Sequence, residues 1–452
     1  MGCQPDLGRS FSLRGAGLTG IDTVVKGVAY RRYSSCSGNA RAMLRARMMM
    51  CLGRGRHRQC GASGARGVDF AEGETKGRAV NRKMDRANIV IIGGGVVGCA
   101  IAAAASENWS DVFLLEQMPK LGMGASSRNS GVIHSGLYYT PGSLKARLCV
   151  RGNRMTYEFC TAHGVPHRNT GKLVVATAKE QEATLAELME RGETNGVEGL
   201  RMIGAAEIRK REPHIAGTAA IEVPSTGIVA SEELVKAYAR IAMEHGADIV
   251  MHAKVRRLEP QNGLVRVTSD AGEIEARCLV NSAGLFADEV AALMDSPMAK
   301  HKIYPVRGEY CEIVRSRRDL VRGLVYPLPH PEGLSLGVHL TKTLWDGVLV
   351  GPTAHYIEDK NDYESNRPPV EDFVRMAQPM LPEIRAEDLV PAYTGIRAKL
   401  APPGSHHATD FVIERDPQFS NVVQLIGMES PALTSAGAIA EYVMGMVGEI
   451  LN

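Results

Sequence analysis

From Asn88 to Glu116 the chain reads NIVIIGGGVVGCAIAAAASENWSDVFLLE. A β-branched run ends at Ile92, glycines follow at Gly93, Gly95 and Gly98, an Ala-rich segment runs toward Ser106, and a second apolar run, DVFLL, closes on Glu116. That punctuation predicts a strand, a tight turn, a helix and a second strand. The glycines have G-x-G-x-x-G spacing: the first permits the turn, the second lets backbone approach a pyrophosphate, and the third lets helix and strand pack. The amino end of the helix, with Val97 in its first turn, then presents free N–H groups to phosphate. Glu116 lies 23 residues beyond Gly93, where a carboxylate can accept from both ribose hydroxyls and disfavours a 2′-phosphate. FAD and NAD both satisfy this motif, and NADP does not.

The rest of the chain must be built around that βαβ unit. Its 452 residues exceed what one hydrophobic core usually holds, so two packed domains plus an appendage are expected. Apolar residues make up 44% and charged residues 23%, enough to bury a large core. Charge is unevenly spread: residues 1–83 carry a balance of +11, which leaves −8 on residues 84–452. An acidic body argues against nucleic acid as a partner, because phosphate binding needs clustered Lys and Arg on the folded surface. The Arg-, Ser- and Gly-rich residues 1–83 have the composition of a transit peptide. They lack a long amphipathic period, however, and are longer than a transit peptide needs to be, which favours a disordered extension or an upstream stretch ahead of a true start at Met84. They bear none of the motifs and are expected to be dispensable for catalysis. The nine cysteines are scattered without a C-x-x-C pair, so a reducing compartment and no zinc site are expected. Ile89 to Ala105 lacks charge, but its three consecutive glycines make it strand, turn and helix rather than a membrane span.

Further along, Ala178 to Glu193 and Ser231 to His245 read as helical, and GKLVVAT and GVLVGPT as strands. Asp248 to Leu258 reads as one strand, followed by a hairpin and a returning strand that ends on Gly284. In NVVQLIGMESPALTSAGAIAEYV a strand enters a turn at Gly427, and a helix opens with Thr434 or Ser435 as N-cap.

These segments together are specific. IVIIGGGVVGCAIA…LLE, SSRNSGVIHSGLYYTPGSLKARLCVRGN, GKLVVAT, EPHIAGTAAIEVPSTGIV, NSAGLFADEVA, YPVRGEY, YPLPHPEGLSLGVHLTK and IGMESPALTSAGAIAEYV resemble the FAD-dependent L-2-hydroxyglutarate dehydrogenases and oxidases of the D-amino-acid oxidase superfamily. The likeness covers about residues 86–448. It implies an α/β, two-domain flavoprotein: a Rossmann-like FAD-binding domain (84–170, 231–306 and 391–452) and an inserted antiparallel-sheet substrate-binding domain (171–230 and 307–390). It also implies that the loop after Glu116 passes over FAD, with Ser127, Asn129, Ser130 and Gly131 reaching the cofactor. Val255, Ala283, Gly284, Gly427, Ser430 and Pro431 complete the implied cofactor set.

A 2-hydroxy acid oxidase must hold a carboxylate, take the hydroxyl proton and stabilise the reduced flavin. A guanidinium is the natural clamp for the first task. Arg397 in TGIRAK stands where related oxidases carry a carboxylate-binding Arg, and Arg307 could hold a second carboxylate, with Tyr326 beside the substrate. His134 or His339, the latter at the end of a strand, is the expected base. The pair His406 and His407 is not expected to bind metal. A quinone or oxygen would accept the electrons. Cytoplasmic, peripheral inner-membrane and mitochondrial locations all remain open. So do a sibling substrate (glycerol 3-phosphate or an amino acid), a non-catalytic flavoprotein and an NAD-dependent dehydrogenase.

Overall fold

The computed structural model describes residues 85–329, 337–405 and 407–452. The expectations for residues 1–83, for a start at Met84 and for His406 lie outside the described residues.

The motif folds as its sequence predicts. The strand Arg86–Ile92 runs through the turn into the helix Val96–Asn108 and on to the strand Val112–Leu115. The helix is nearly all buried, because Ala and Gly on every side let it lie close against its neighbours. Arg86–Ile92 pairs in parallel with Val112–Leu115 on one side and with Gly272–Asn281 on the other. Asp248–Val250 and Val422–Ile426 extend this parallel core, and the hairpin Val255–Gln261/Leu264–Ser269 adds an antiparallel wing. Parallel strands buried on both faces read as unbroken apolar runs, which is how VFLL and VVQLI appear in the sequence.

The one strand expected from Asp248 to Leu258 is two. It breaks after Val250 and resumes at Val255, with His252 at φ +54° between them. The bend is fixed by backbone bonds to one residue: Glu116 donates to the Val250 carbonyl at 2.8 Å and accepts from Ala253 at 2.8 Å. The chain therefore folds around the acid that ends the motif.

A second sheet of nine strands is antiparallel except where Leu324–Pro327 runs parallel to Leu173–Ala176. Tyr304–Ile313 pairs along its length with Leu389–Lys399, a strand that the expected boundary at residue 391 would cut. His339 opens the strand His339–Lys342 rather than closing one.

The last helix, Ala432–Leu451, also starts earlier than expected. Pro431 is its N-cap, and Thr434 and Ser435 lie inside its first turn. Thr434 is engaged elsewhere. The Thr434 hydroxyl accepts from the His134 backbone N–H at 2.9 Å, and the Thr434 carbonyl accepts from Thr156 at 2.9 Å. This helix crosses Leu144–His163 at Gly152, where a Cβ would sit 2.5 Å from the Thr434 carbonyl oxygen. The crossing fixes the amino end of the last helix against His134.

Candidate functional site

A cleft of about 1150 Å³ runs from the glycine turn to the nine-stranded sheet. That exceeds the roughly 300–1,000 Å³ of ordinary ligand pockets and suits a dinucleotide with a substrate beside it. At one end it is lined by Gly93, Gly95, Val97 and Glu116, and at the other by His134, Tyr326, His339 and Arg397. Asn129, Ser130, Val255, Ala283, Gly284, Ser430 and Pro431 line it as well.

At the nucleotide end, the three glycines meet different surroundings. A Cβ on Gly98 would lie 1.9 Å from the Gly93 carbonyl oxygen, and one on Gly93 would lie 2.5 Å from the Ser282 carbonyl oxygen, so both hold helix against strand. A Cβ on Gly95 would meet only the Ser126 hydroxyl, at 3.2 Å, and otherwise points into open cleft. The Glu116 carboxylate accepts from the Gly94 N–H at 2.6 Å and the Met118 N–H at 2.8 Å. Burial raises its pKa against the pull of those bonds. An open cradle at Gly95, a helix amino end and an acid at the ribose position together fit the adenosine diphosphate half of FAD.

The loop after Glu116 contributes differently in detail. Ser126, which the sequence did not single out, caps the helix by accepting from Val96 N–H at 2.9 Å and lines the cleft, whereas Ser127 does not. The Asn129 side chain bonds the loop itself, donating to the Ala125 and Ser126 carbonyls and accepting from Gly131 N–H at 2.7 Å. Gly131 packs on the neighbouring strand, with Val229 N–H donating to its carbonyl at 2.7 Å, and stays out of the cleft. Gly427 is likewise a turn residue, at φ +78° against Leu400, behind the lining residues Met428 to Pro431.

At the far end, the His134 Nε2 lies 3.3 Å from the Ser430 hydroxyl. Burial, helped by the charge of Lys172, lowers the His134 pKa to about 3, so the ring is neutral at physiological pH. His339 is 7% exposed and stacks on Tyr326 with centroids 3.6 Å apart and planes 10° from parallel. Arg397 donates to the Thr353 carbonyl at 3.0 Å and has no carboxylate partner among the described residues, so its charge faces the cleft uncommitted. Tyr310, another lining residue that sequence reasoning missed, hydrogen-bonds Ser130 hydroxyl to hydroxyl at 2.9 Å.

Arg307 does not join this group. Its guanidinium, 3% exposed, donates to Glu309 at 2.8 Å and pairs with Asp362 at 3.2 Å, away from the cleft lining. The cause is register. Val306 pairs with Arg397 across the two long strands, while Arg307 pairs with Ile396. Directly paired residues share a face and successive residues alternate, so Arg307 and Arg397 project from opposite faces of the sheet. Although burial alone would raise its pKa, bonds from His355 and Arg307 hold the Glu309 carboxyl below its ordinary range. An Arg307→Met protein should therefore lose about 1.5–3 kcal/mol of stability, the contribution of a hydrogen bond to a charged group, with His355 still bonded to the Glu309 carboxylate. Urea titration of flavin-loaded protein checks this, and an unchanged midpoint with a raised KM would return Arg307 to the substrate.

The comparisons bear on the family and the fold. A sequence profile described as FAD dependent oxidoreductase matches residues 88–446. The L-2-hydroxyglutarate dehydrogenase of Indibacter alkaliphilus is 33% identical over 395 residues, covering 79% of this chain and 98% of that protein. The mitochondrial L-2-hydroxyglutarate dehydrogenase of Arabidopsis thaliana is 33% identical, covering 81% of this chain and 84% of that protein. Among solved structures, the FAD-bound L-alpha-glycerophosphate oxidase of Mycoplasma pneumoniae superposes with a TM-score of 0.73 at 24% identity, over 81% of this chain and 95% of that one. Glycine oxidase from Geobacillus kaustophilus gives a TM-score of 0.69 at 20% identity, over 81% and 95%. These two likenesses bear on the fold.

Proposed function

The chain belongs to the FAD dependent oxidoreductase family, and from that premise we propose that it oxidises L-2-hydroxyglutarate to 2-oxoglutarate. One observation carries the reading: the cleft that begins at the nucleotide cradle ends, without a break, on a neutral imidazole and an uncommitted guanidinium. The substrate is the one named for relatives that match nearly end to end.

FAD, when bound, supplies the two-electron acceptor. The chain supplies the rest. Arg397, braced by the Thr353 carbonyl, offers a bidentate clamp to the C1 carboxylate and so orients C2. His134, neutral and lining the cleft beside Ser430, can take the C2 hydroxyl proton as the C2 hydride departs. A dianionic substrate beside it raises its basicity from the ligand-free value. The amino end of Ala432–Leu451, held by Thr156 and abutting His134, stabilises negative charge developing on the cofactor side. Tyr326 and His339 wall the pocket as one stacked unit.

The electrons then pass to a quinone or to oxygen. No helix among the described residues is long and apolar enough to cross a membrane, so a quinone would be met by docking at the membrane surface. The two sheets support dividing the chain into nucleotide-binding and substrate-binding domains, with the boundary ahead of Leu389 so that the strand Leu389–Lys399 stays whole.

An anaerobic screen tests the substrate. L-2-hydroxyglutarate should bleach the flavin absorbance at least ten times faster than glycerol 3-phosphate, glycine or L-proline. Faster bleaching by the phosphate or by an amino acid would replace this substrate with its competitor.

A further inference from the structure

Behind the pocket wall lies a cation that the mechanism does not use. Lys172 is 3% exposed, and its ammonium has no hydrogen-bond partner and no carboxylate among the described residues. It sits 4.5 Å from the ring centroid of Tyr138 and 4.7 Å from that of Tyr326, and both tyrosines line the cleft. The Tyr138 hydroxyl, the Ser135 hydroxyl and the His134 Nδ1 are also buried without partners among the described residues. Burying an unpaired ammonium is costly, and cation–π contacts with two rings return only part of that cost. Folding alone does not favour such an arrangement: a methionine would fill the same space without penalty. The ammonium does not itself line the cleft, so its charge is felt there across the Tyr138 and Tyr326 rings, and an unneutralised charge held that close behind a ligand cleft attracts an anion into it.

We propose that Lys172 is a specificity-determining residue, the counter-charge for the second carboxylate of a dicarboxylic substrate whose first carboxylate is held by Arg397. The proposal rests on the 2-hydroxyglutarate reading given above and adds the reason for preferring a dicarboxylate. Lys172 leads directly into the buried strand Leu173–Ala176, whose parallel neighbour carries Tyr326, so the ammonium is held on a rigid edge. Burial lowers its pKa to about 7, and an arriving carboxylate would restore the full charge. Two cations that do line the cleft near its substrate end are already engaged. Lys145 is already paired with Glu429 at 2.9 Å, and Arg128 lies over the Tyr363 ring at 4.4 Å while bonding the Thr394 carbonyl.

The test compares two substrates that differ only in the charge at issue. Flavin reduction in the holoenzyme is measured with L-2-hydroxyglutarate and with L-2-hydroxyvalerate, which has the same carbon chain but ends in a methyl group. The wild-type ratio of kcat/KM, dicarboxylate over monocarboxylate, should fall roughly 10- to 100-fold in Lys172→Met, the loss expected for one buried charge acting through the pocket wall. Lys172→Arg should recover part of it. If Lys172→Met does not retain flavin, Lys172→Gln makes the same comparison with a polar side chain of similar reach. A ratio that stays at the wild-type value, with both rates falling together, would mean that Lys172 is structural and would overturn the proposal. A wild-type holoenzyme reduced by the monocarboxylate as readily as by the dicarboxylate would overturn it as well. Reduction by neither acid contradicts the substrate reading itself, and this inference with it.

Discussion

A Gly95→Val protein is expected to fold and to be colourless. Gly95 has φ −76° and ψ −179°, extended backbone that any residue adopts, and the only protein atom near its missing Cβ is a serine hydroxyl that can turn aside. The added branches would instead fill the opening where backbone must approach a pyrophosphate. Gly98→Val gives the contrasting result. Its Cβ would have to occupy the place of the Gly93 carbonyl, so the helix must move off the strand at a cost of about 3 kcal/mol or more. Thermal melting and flavin absorbance together separate the two: Gly95→Val melts near the wild-type apoprotein, and Gly98→Val melts well below it. A yellow Gly95→Val protein with one flavin per chain would remove the nucleotide assignment.

The second large effect divides binding from chemistry. Arg397→Met should lower kcat/KM by roughly 10²-fold, because a charge-assisted clamp contributes on the order of 3 kcal/mol. His134→Ala should leave substrate affinity near wild type while slowing flavin reduction by about 10² to 10⁴-fold. The pH profile adds a signature. A base works only when deprotonated, so kcat/KM falls as pH drops through the pKa of the free enzyme. With burial and Lys172 holding His134 near 3, the plateau should persist well below the ordinary histidine range, rather than breaking near neutrality as an average histidine would. Stopped-flow reduction across pH 4.5–8 measures this. A break near pH 6.5 that survives in His134→Ala and vanishes in His339→Ala would transfer the role to His339.

What the sequence disclosed follows from how local each feature is. The glycine turn, its helix and Glu116 lie within one βαβ unit, and spacing alone determines their relation. That His134 lines the cleft was legible because it closes a loop that starts beside that unit. Arg307 was misplaced because which face of a strand meets the cleft depends on pairing register across 90 residues of chain, and a shift of one reverses the answer. Thr434 looked like a helix cap by residue type, but its hydroxyl is taken by the backbone of a residue 300 positions earlier. The break after Val250 is set by bonds to Glu116, which no periodicity in DIVMHAKVRRL could reveal. Lys172 did carry a signal, a lone charge directly ahead of the wholly buried run LVVA, but a lysine at the end of a strand usually reaches solvent.

The central claim is that one cleft holds FAD and a 2-hydroxy acid in reacting contact. Its most direct test is an anaerobic single-turnover titration of the purified holoenzyme with L-2-hydroxyglutarate, following flavin absorbance and assaying 2-oxoglutarate in the quenched mixture. The account predicts complete bleaching at about one equivalent per flavin, with one 2-oxoglutarate formed for each flavin reduced. Flavin that stays oxidised through excess substrate, in protein carrying a full complement of FAD, would contradict it.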